Sequence, residues 1–389
     1  MSFAGYENHI GNSLRELRES GLFRQIPPVD HGADKFLLLD GKPLLNLASN
    51  NYLGLAGHPA LKAGAVSAVE KYGASSGASR LISGNFALAD ELETEAAAFK
   101  DTEAALFFGA GFAANVAVMS ALADRQTVVF ADRLNHASII DGVRLSGARH
   151  VRYAHNDLSA LAALMEKHAS ATRKLVVTDT VFSMDGDLAD LRGLADLCDR
   201  HDALLVVDEA HATGVMGPGL AHVQGVADRV DVHMSTFSKG LGSSGAFVAA
   251  NRQIIDFLRN RARPFIFSTF PPPAVIGANL AALRLVRETP DMGKRVLALG
   301  DQARTRLRKM GLDTGESATP IIPVMIGDSE HALAARDALM RQGVYVGAVR
   351  PPTVPQGTAR LRISLRADLT DNDMETLYAA LTGLHEEVL

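Results

Sequence analysis

From residue 87 onward the chain alternates between two hydrophobic periods. Helical spacing in ALADELETEAAAF (87–99) gives way to the short apolar run AALFF (104–108). Helix-like AANVAVMSALA then precedes TVVFA, HASIIDGVRLS precedes HVRYA, LSALAALMEKHA precedes KLVVTDT, and LRGLADLCDRH precedes ALLVVDE and DVHMST. Short apolar runs separated by helical stretches of roughly 10–15 residues predict a mostly parallel sheet with helices on both faces, an α/β architecture.

Upstream, residues 7–20 read as a helix stopped by Gly21, and 35–48 as a hairpin turning at Asp40–Gly41. Pro59 opens another helix and Gly73 closes it. The stretch GASSGASRLISGN (73–85) reads either as a linker or as a loop where backbone must approach something closely. After residue 288 helices alternate with the shorter strands PIIPVMI and ARLRISL toward a final helix near 370–387. The expected organisation is an N-terminal segment (1–48), a large domain (49–288) and a smaller C-terminal α+β domain (289–389).

Composition narrows the function. The 389 residues are 47% hydrophobic and 21% charged, which fits a globular chain with a large core and argues against disorder. The net charge of −5 lacks the basic footprint of a nucleic-acid binder. The single cysteine, Cys198, leaves no internal disulfide and no cysteine-rich zinc site, so no metal centre is expected. No uncharged apolar run approaches about 18 residues, and the first residues lack the apolar core of a secretory signal. A cytoplasmic protein that does not span the membrane is the expectation.

In a parallel sheet, ligands bind at the carboxyl ends of the strands. Five polar clusters fall there: GAGFAAN (109–115), DRLNHAS (132–138), VFSMDGD (181–187), DEAHATG (208–214) and STFSKGLGSSG (235–245). GAGFAA with Asp132 farther on formally matches a dinucleotide fingerprint, but such short matches are usually false out of context, and a glycine turn between strand and helix is the plain reading. Either way Gly111 and Phe112 open a helix, where free N–H groups favour phosphate. DEAH imitates the acidic motif of a helicase-type ATPase. The glycine loop that such an ATPase needs is missing, since Gly41–Lys42 runs into Pro43 and Gly293–Lys294 into Arg295.

Lys239 stands between small and hydroxyl residues, as suits a lysine that forms a Schiff base beneath a flat ring; a solvated loop lysine is the plain alternative. Thr236 and Ser238 beside it could hold a phosphate. Asp208 ends the apolar run ALLVV, so its carboxyl is expected to be buried and to need a cationic or hydrogen-bonding partner. A protonated pyridine nitrogen is such a partner, and an imidazole such as His136 could stack on the ring face. Taken singly, His136 and His211 are ambiguous, since a lone histidine at a strand end is more often a satisfied structural residue.

With these residues in place the chain resembles the α-oxoamine synthases, pyridoxal-phosphate enzymes of fold type I. SNNYLGL (49–55), SSGASRLISGN (75–85), GFAAN (111–115), DRLNHASIIDG (132–142), VFSMDGD, VVDEAHATGVMG (206–217), TFSKGLG and IFSTFPPP (266–273) stand in family order. The resemblance implies pyridoxal 5′-phosphate, with Lys239 as its Schiff-base lysine and as the base for the Cα proton. Asp208 would meet the ring nitrogen, His136 the ring face, and His211 the phenolic oxygen, with Ser183 nearby. Thr236 and the backbone at Gly111–Phe112 would hold the phosphate. Arg350, Thr353 and Asn50 would receive carboxylates of substrate or product. Arg24 would meet the acyl substrate, or else be an ordinary surface arginine. Arg360 and Arg362 read as a solvated or structural strand face.

The segment RPPTVPQGTARLRISL (350–365) is most similar to members that join L-alanine to a pimeloyl thioester, on CoA or an acyl carrier protein, with loss of CO2. Relatives that use glycine with acetyl-CoA, glycine with succinyl-CoA, or serine with a long acyl thioester are the neighbouring readings. A homodimer is also implied. Ser238, Glu209, Ala212 and Ser243 depart from residues often found in the family, and none removes a catalytic group.

Overall fold

The computed structural model describes residues 3–24, 26–32 and 34–387. The chain divides into two compact units, residues 1–49 with 300–389, and residues 50–299. The first strands are β1 (Phe36–Leu39) and β2 (Lys42–Asn46), the two arms of the expected hairpin.

Unit 50–299 contains β3 (Ala104–Phe108), β4 (Thr127–Asp132), β5 (Arg149–Tyr153), β6 (Arg173–Asp179), β7 (Leu204–Asp208), β8 (Val232–Thr236) and β9 (Ala246–Ala250). They form one sheet in the order β3-β9-β8-β7-β6-β4-β5. All pairings are parallel except those of β9, which runs antiparallel to both β3 and β8. Strand β9 is absent from the pattern reading. Its five residues, AFVAA, follow a glycine-rich loop and offer too short a run to separate from it.

Both faces of this sheet are covered. Val129, Val177, Val206 and Met234 pack with Val118, Met119, Ile139 and Ile255 from three helices. On the opposite face Phe107, Phe130, Val176 and Val207 are also buried. Burial on both faces is why these strands read as continuous apolar runs and do not alternate. Six strands share one direction, so the loops after β3, β4, β6, β7 and β8 gather on one edge of the sheet. No helix among the described residues is long and apolar enough to cross a membrane.

Unit 1–49 with 300–389 is built on two small sheets. In the first, β1 pairs with β2, and β2 pairs in parallel with β11 (Val344–Tyr345). In the second, β10 (Ile321–Gly327) and β12 (Gly347–Val349) flank β13 (Ala359–Ser364), all antiparallel. The N-terminal hairpin therefore belongs with the C-terminal residues. Lys35 reaches Asp373 at 2.6 Å, and fully buried Arg366 donates to Asp368 and to the Asp34 carbonyl. Arg360 and Arg362 are buried on β13, so they are structural and not solvated; Arg362 Nη1 donates to Ser364 Oγ at 2.7 Å.

Candidate active site

Asp208 is the last residue of β7, delivered to the loop edge by an apolar strand. Its carboxyl is 4% exposed. Asn115 Nδ2 donates to one oxygen at 2.7 Å and the Ala210 N–H to the other at 2.9 Å. Both partners are neutral, so the charge of Asp208 is not cancelled by a directly bonded cation. Asn115 lies one turn into the helix Gly111–Leu122 and also donates to Ser138 Oγ at 2.9 Å. Ser138 Oγ is 2.7 Å from His136 Nδ1. One helix thus couples the acid to the imidazole.

His136 caps the helix Ala137–Ser146, and its backbone N–H donates to Asp179 Oδ2 at 2.7 Å. Its ring is exposed and meets Phe112 edge-on, with centroids 6.4 Å apart. Partial desolvation lowers its pKa below the usual histidine value, Asp208 opposes this, and Lys239 lowers it further. A neutral ring with an open face suits stacking.

Lys239 follows β8. Its Nζ lies 2.9 Å from His211 Nε2, and His211 Nδ1 lies 2.7 Å from the Tyr52 hydroxyl. Tyr52 in turn reaches Asn50 Oδ1 at 3.1 Å. One assignment satisfies the chain: the Lys239 amine donates to Nε2, Nδ1–H donates to Tyr52, and Tyr52 donates to Asn50. Four residues from three loops form a single proton-bearing line that ends at the lysine.

The helix Gly111–Leu122 has no side-chain cap, so its first-turn N–H groups point outward with the positive end of the dipole. A Cβ on Gly111 would lie 2.7 Å from Thr236 Cγ2. Only glycine lets the helix start and the Thr236 methyl group approach so closely. Thr236 is buried, with its hydroxyl 3.5 Å from the Ala210 carbonyl. Ser183 is half-buried in the loop after β6.

The structure therefore brings Asn50, Gly111, Phe112, His136, Ser183, Asp208, His211, Thr236 and Lys239 to the loop edge of unit 50–299. Arg24, Arg350 and Thr353 lie in the other unit. There Arg350 donates to the Gly21 carbonyl, and Arg24 and Thr353 are exposed. Burial, and then the charges of Arg336 and Arg24, lower the pKa of Arg350, which marks a concentration of positive charge around it.

The dinucleotide reading does not survive. Asp132, which would meet a ribose, is 1% exposed, and its oxygens accept from His155 Nδ1, Leu134 N and Asn156 N. Among the described residues no group of three or more His, Cys, Asp or Glu could hold a metal ion.

Several residues escape a motif reading. Tyr52 and Asn115 lie inside SNNYLGL and GFAAN, but only the fold shows which way they face. Glu209, a departure from the family pattern, is fully buried and bonds Lys100 Nζ at 2.6 Å and His233 Nδ1 at 3.1 Å. Lys100 also donates to Thr213 and to the Pro218 carbonyl. Burial alone would raise the pKa of Glu209, but Lys100 and His233 outweigh it and hold the acid ionised.

The model of the family Aminotransferase class I and II matches residues 42–381. The 8-amino-7-oxononanoate synthase of Geotalea daltonii is 48% identical over 378 residues, covering 96% of each chain. That of Geobacter sulfurreducens is 48% identical over 385 residues, covering 97% of this chain and 98% of its own. Among solved structures, the serine palmitoyltransferase of Sphingomonas wittichii superposes with a TM-score of 0.93 at 28% identity, covering 100% of this chain and 99% of its own. SPT with PLP superposes with a TM-score of 0.94 at 29% identity, over 100% of this chain and 99% of its own. The 8-amino-7-oxononanoate synthase of Francisella tularensis gives a TM-score of 0.76 at 27% identity, over 89% of this chain and 99% of its own.

Proposed function

The chain belongs to the class I and II aminotransferase family and, within it, to the 8-amino-7-oxononanoate synthases, and from that membership we propose that it joins L-alanine to a pimeloyl thioester, releasing CO2 and the thiol carrier. It is a fold type I, pyridoxal-phosphate-dependent acyltransferase of biotin synthesis.

The residues fit this cofactor. An uncapped helix start and the Thr236 hydroxyl suit its phosphate, and Gly111 leaves the room a Cβ would fill. Buried Asp208, with only neutral donors, suits a protonated ring nitrogen. The open face of His136 suits the ring plane, and His211, with Ser183 nearby, suits the phenolic oxygen. When bound, the cofactor supplies an aldehyde carbon for the amino acid and an electron sink for the Cα carbanion.

The chain's own groups do the rest. Lys239 Nζ takes the Cα proton and returns one to the same carbon after CO2 is lost. The 2.9 Å contact with His211 Nε2 carries this reading, because it fixes the amine at the end of a hydrogen-bonded line. Asp208 holds positive charge on the ring nitrogen, which strengthens the sink. Asn50, Arg350 and Thr353 hold carboxylates of substrate or product and Arg24 the acyl substrate, supported in unit 1–49 with 300–389 by the positive cluster around Arg350. His136 also assists at the thioester oxygen. A homodimer belongs to the same proposal, supported by the family resemblance and by exposed Phe112 and Leu145.

The test pairs Lys239→Ala with a substrate panel. Borohydride should fix the cofactor to the native protein and not to the variant, and the variant should lose turnover. Alanine with pimeloyl-CoA or pimeloyl-carrier protein should outrun glycine or serine with acetyl-, succinyl- or palmitoyl-CoA. A faster rate with glycine and acetyl-CoA would overturn the substrate assignment, and a fully active Lys239→Ala the mechanism.

A further inference from the structure

His155 lies just past the end of β5 and takes no part in the chemistry above. Its two ring nitrogens are both engaged by carboxylates. Nδ1 is 3.1 Å from both oxygens of Asp132, and Nε2 is 2.8 Å from Asp187 Oδ2. The ring also meets Phe182 edge-on, with centroids 4.3 Å apart. A neutral imidazole carries one N–H and could satisfy only one of these acids; two acceptors on two sides call for the imidazolium.

The two acids belong to different parts of the loop edge. Asp132 ends β4 and accepts the Leu134 N–H at 2.8 Å, so it shapes the turn that leads into His136. Asp187 closes the loop 181–188, in which Phe182 N bonds the Asp187 carbonyl and Gly186 N bonds the Phe182 carbonyl. Ser183 rides on that loop. Asp187 Oδ1 is buried with no hydrogen-bond partner, so its charge depends on His155 and on Asn156 Nδ2, which reaches Oδ2 at 3.0 Å.

We infer that His155 is a positioning residue: its ring fastens the loop bearing Ser183 to the strand end that leads into His136, and so holds the cofactor-facing edge in one arrangement. This rests on the reading of that edge as the pyridoxal-phosphate site. The charged groups facing His155 are Asp132 from β4 and Asp187 from the 181–188 loop. Burial alone would lower its pKa, but the hydrogen bonds to these two acids outweigh it and raise it to about 9. The clamp is closed at neutral pH and opens as the ring loses its proton above that value.

The experiment titrates pyridoxal phosphate into cofactor-free protein at pH 7.5 and pH 10, native and His155→Gln. The amide fills similar space and cannot titrate. At pH 7.5 the variant should bind about tenfold more weakly, the scale of one lost charged hydrogen bond. The ratio of the two dissociation constants should shrink toward one at pH 10, where native His155 is neutral too. A ratio of one at pH 7.5, or the same ratio at both values, overturns the inference. Should His155→Gln not fold, Asp187→Asn is measured the same way, with the same pH-dependent ratio expected. Should the native protein not bind pyridoxal phosphate, the functional reading fails. The clamp is then judged by hydrogen exchange of residues 181–188: faster exchange in the variant at pH 7.5 and equal exchange at pH 10 support it, and unchanged exchange at pH 7.5 overturns it.

Discussion

Asp179 and Asp208 stand as direct partners in the parallel pairing of β6 and β7, two buried acids side by side at one edge of the sheet. Burial and then the neighbouring charge of Asp208 raise the pKa of Asp179 well above the usual carboxylate range. The two acids therefore divide the work. Burial and Asp208 bias Asp179 toward its neutral form, and it orders the loop through the His136 N–H, while Asp208 is left to face the ring nitrogen.

Asp179→Asn should accordingly be mild and Asp208→Asn severe. An amide mimics a protonated acid and keeps an oxygen for the His136 N–H. The expected loss in kcat/KM is less than about tenfold for Asp179→Asn and about 10³-fold for Asp208→Asn, within the range of acid–base and electrostatic contributions. The sign of the stability effect follows from the raised pKa. Native Asp179 favours the fold most below the ordinary carboxylate value, and that contribution is lost as pH rises through its higher folded value. Asp179→Asn has no such loss, so its melting temperature should gain on the native protein as pH rises. A parallel pH profile for both would refute the division.

Gly111→Ala should weaken pyridoxal phosphate binding by about tenfold, because the new methyl group lies 2.7 Å from Thr236 Cγ2 and must displace one of the phosphate's neighbours. Thr236→Ser removes that methyl and keeps the hydroxyl. The double variant should therefore bind more tightly than Gly111→Ala alone, in a titration followed by cofactor absorbance. Additive losses would show that the close approach is irrelevant.

Lys100→Met should destabilise unit 50–299 by about 3–5 kcal/mol, since it strands the buried carboxylate of Glu209. Adding Glu209→Gln removes the stranded charge. Urea denaturation should find the double variant less destabilised than the sum of the two single ones, and strict additivity would count against the pair.

Much of this arrangement is legible in residue order. Five polar clusters at strand ends locate the edge, and Asp208 at the close of ALLVV already implies a buried acid in need of a partner. What is hidden depends on contacts between distant residues. Lys100 and Glu209 are 109 positions apart, and nothing local marks either as buried. His155 looks like an ordinary loop histidine until Asp132 arrives from the end of β4 and Asp187 from the 181–188 loop. Strand β9 hides for a different reason: five apolar residues after glycines carry no period, and their direction between β3 and β8 is a property of the sheet. Arg360 and Arg362 alternate as surface residues would, yet β13 is the central strand of its sheet and both are buried.

The parallel pairing of β2 with β11 fixes the timing of assembly as well as its geometry. About 300 residues separate Asn46 from Val344. At roughly 5–20 residues per second a ribosome needs about 15 to 60 seconds to cover that distance. Throughout that interval the apolar arm carrying Leu44 and Leu45 is already made while its partner strand does not yet exist. The N-terminal hairpin is therefore a newborn edge that waits for the chain's last quarter.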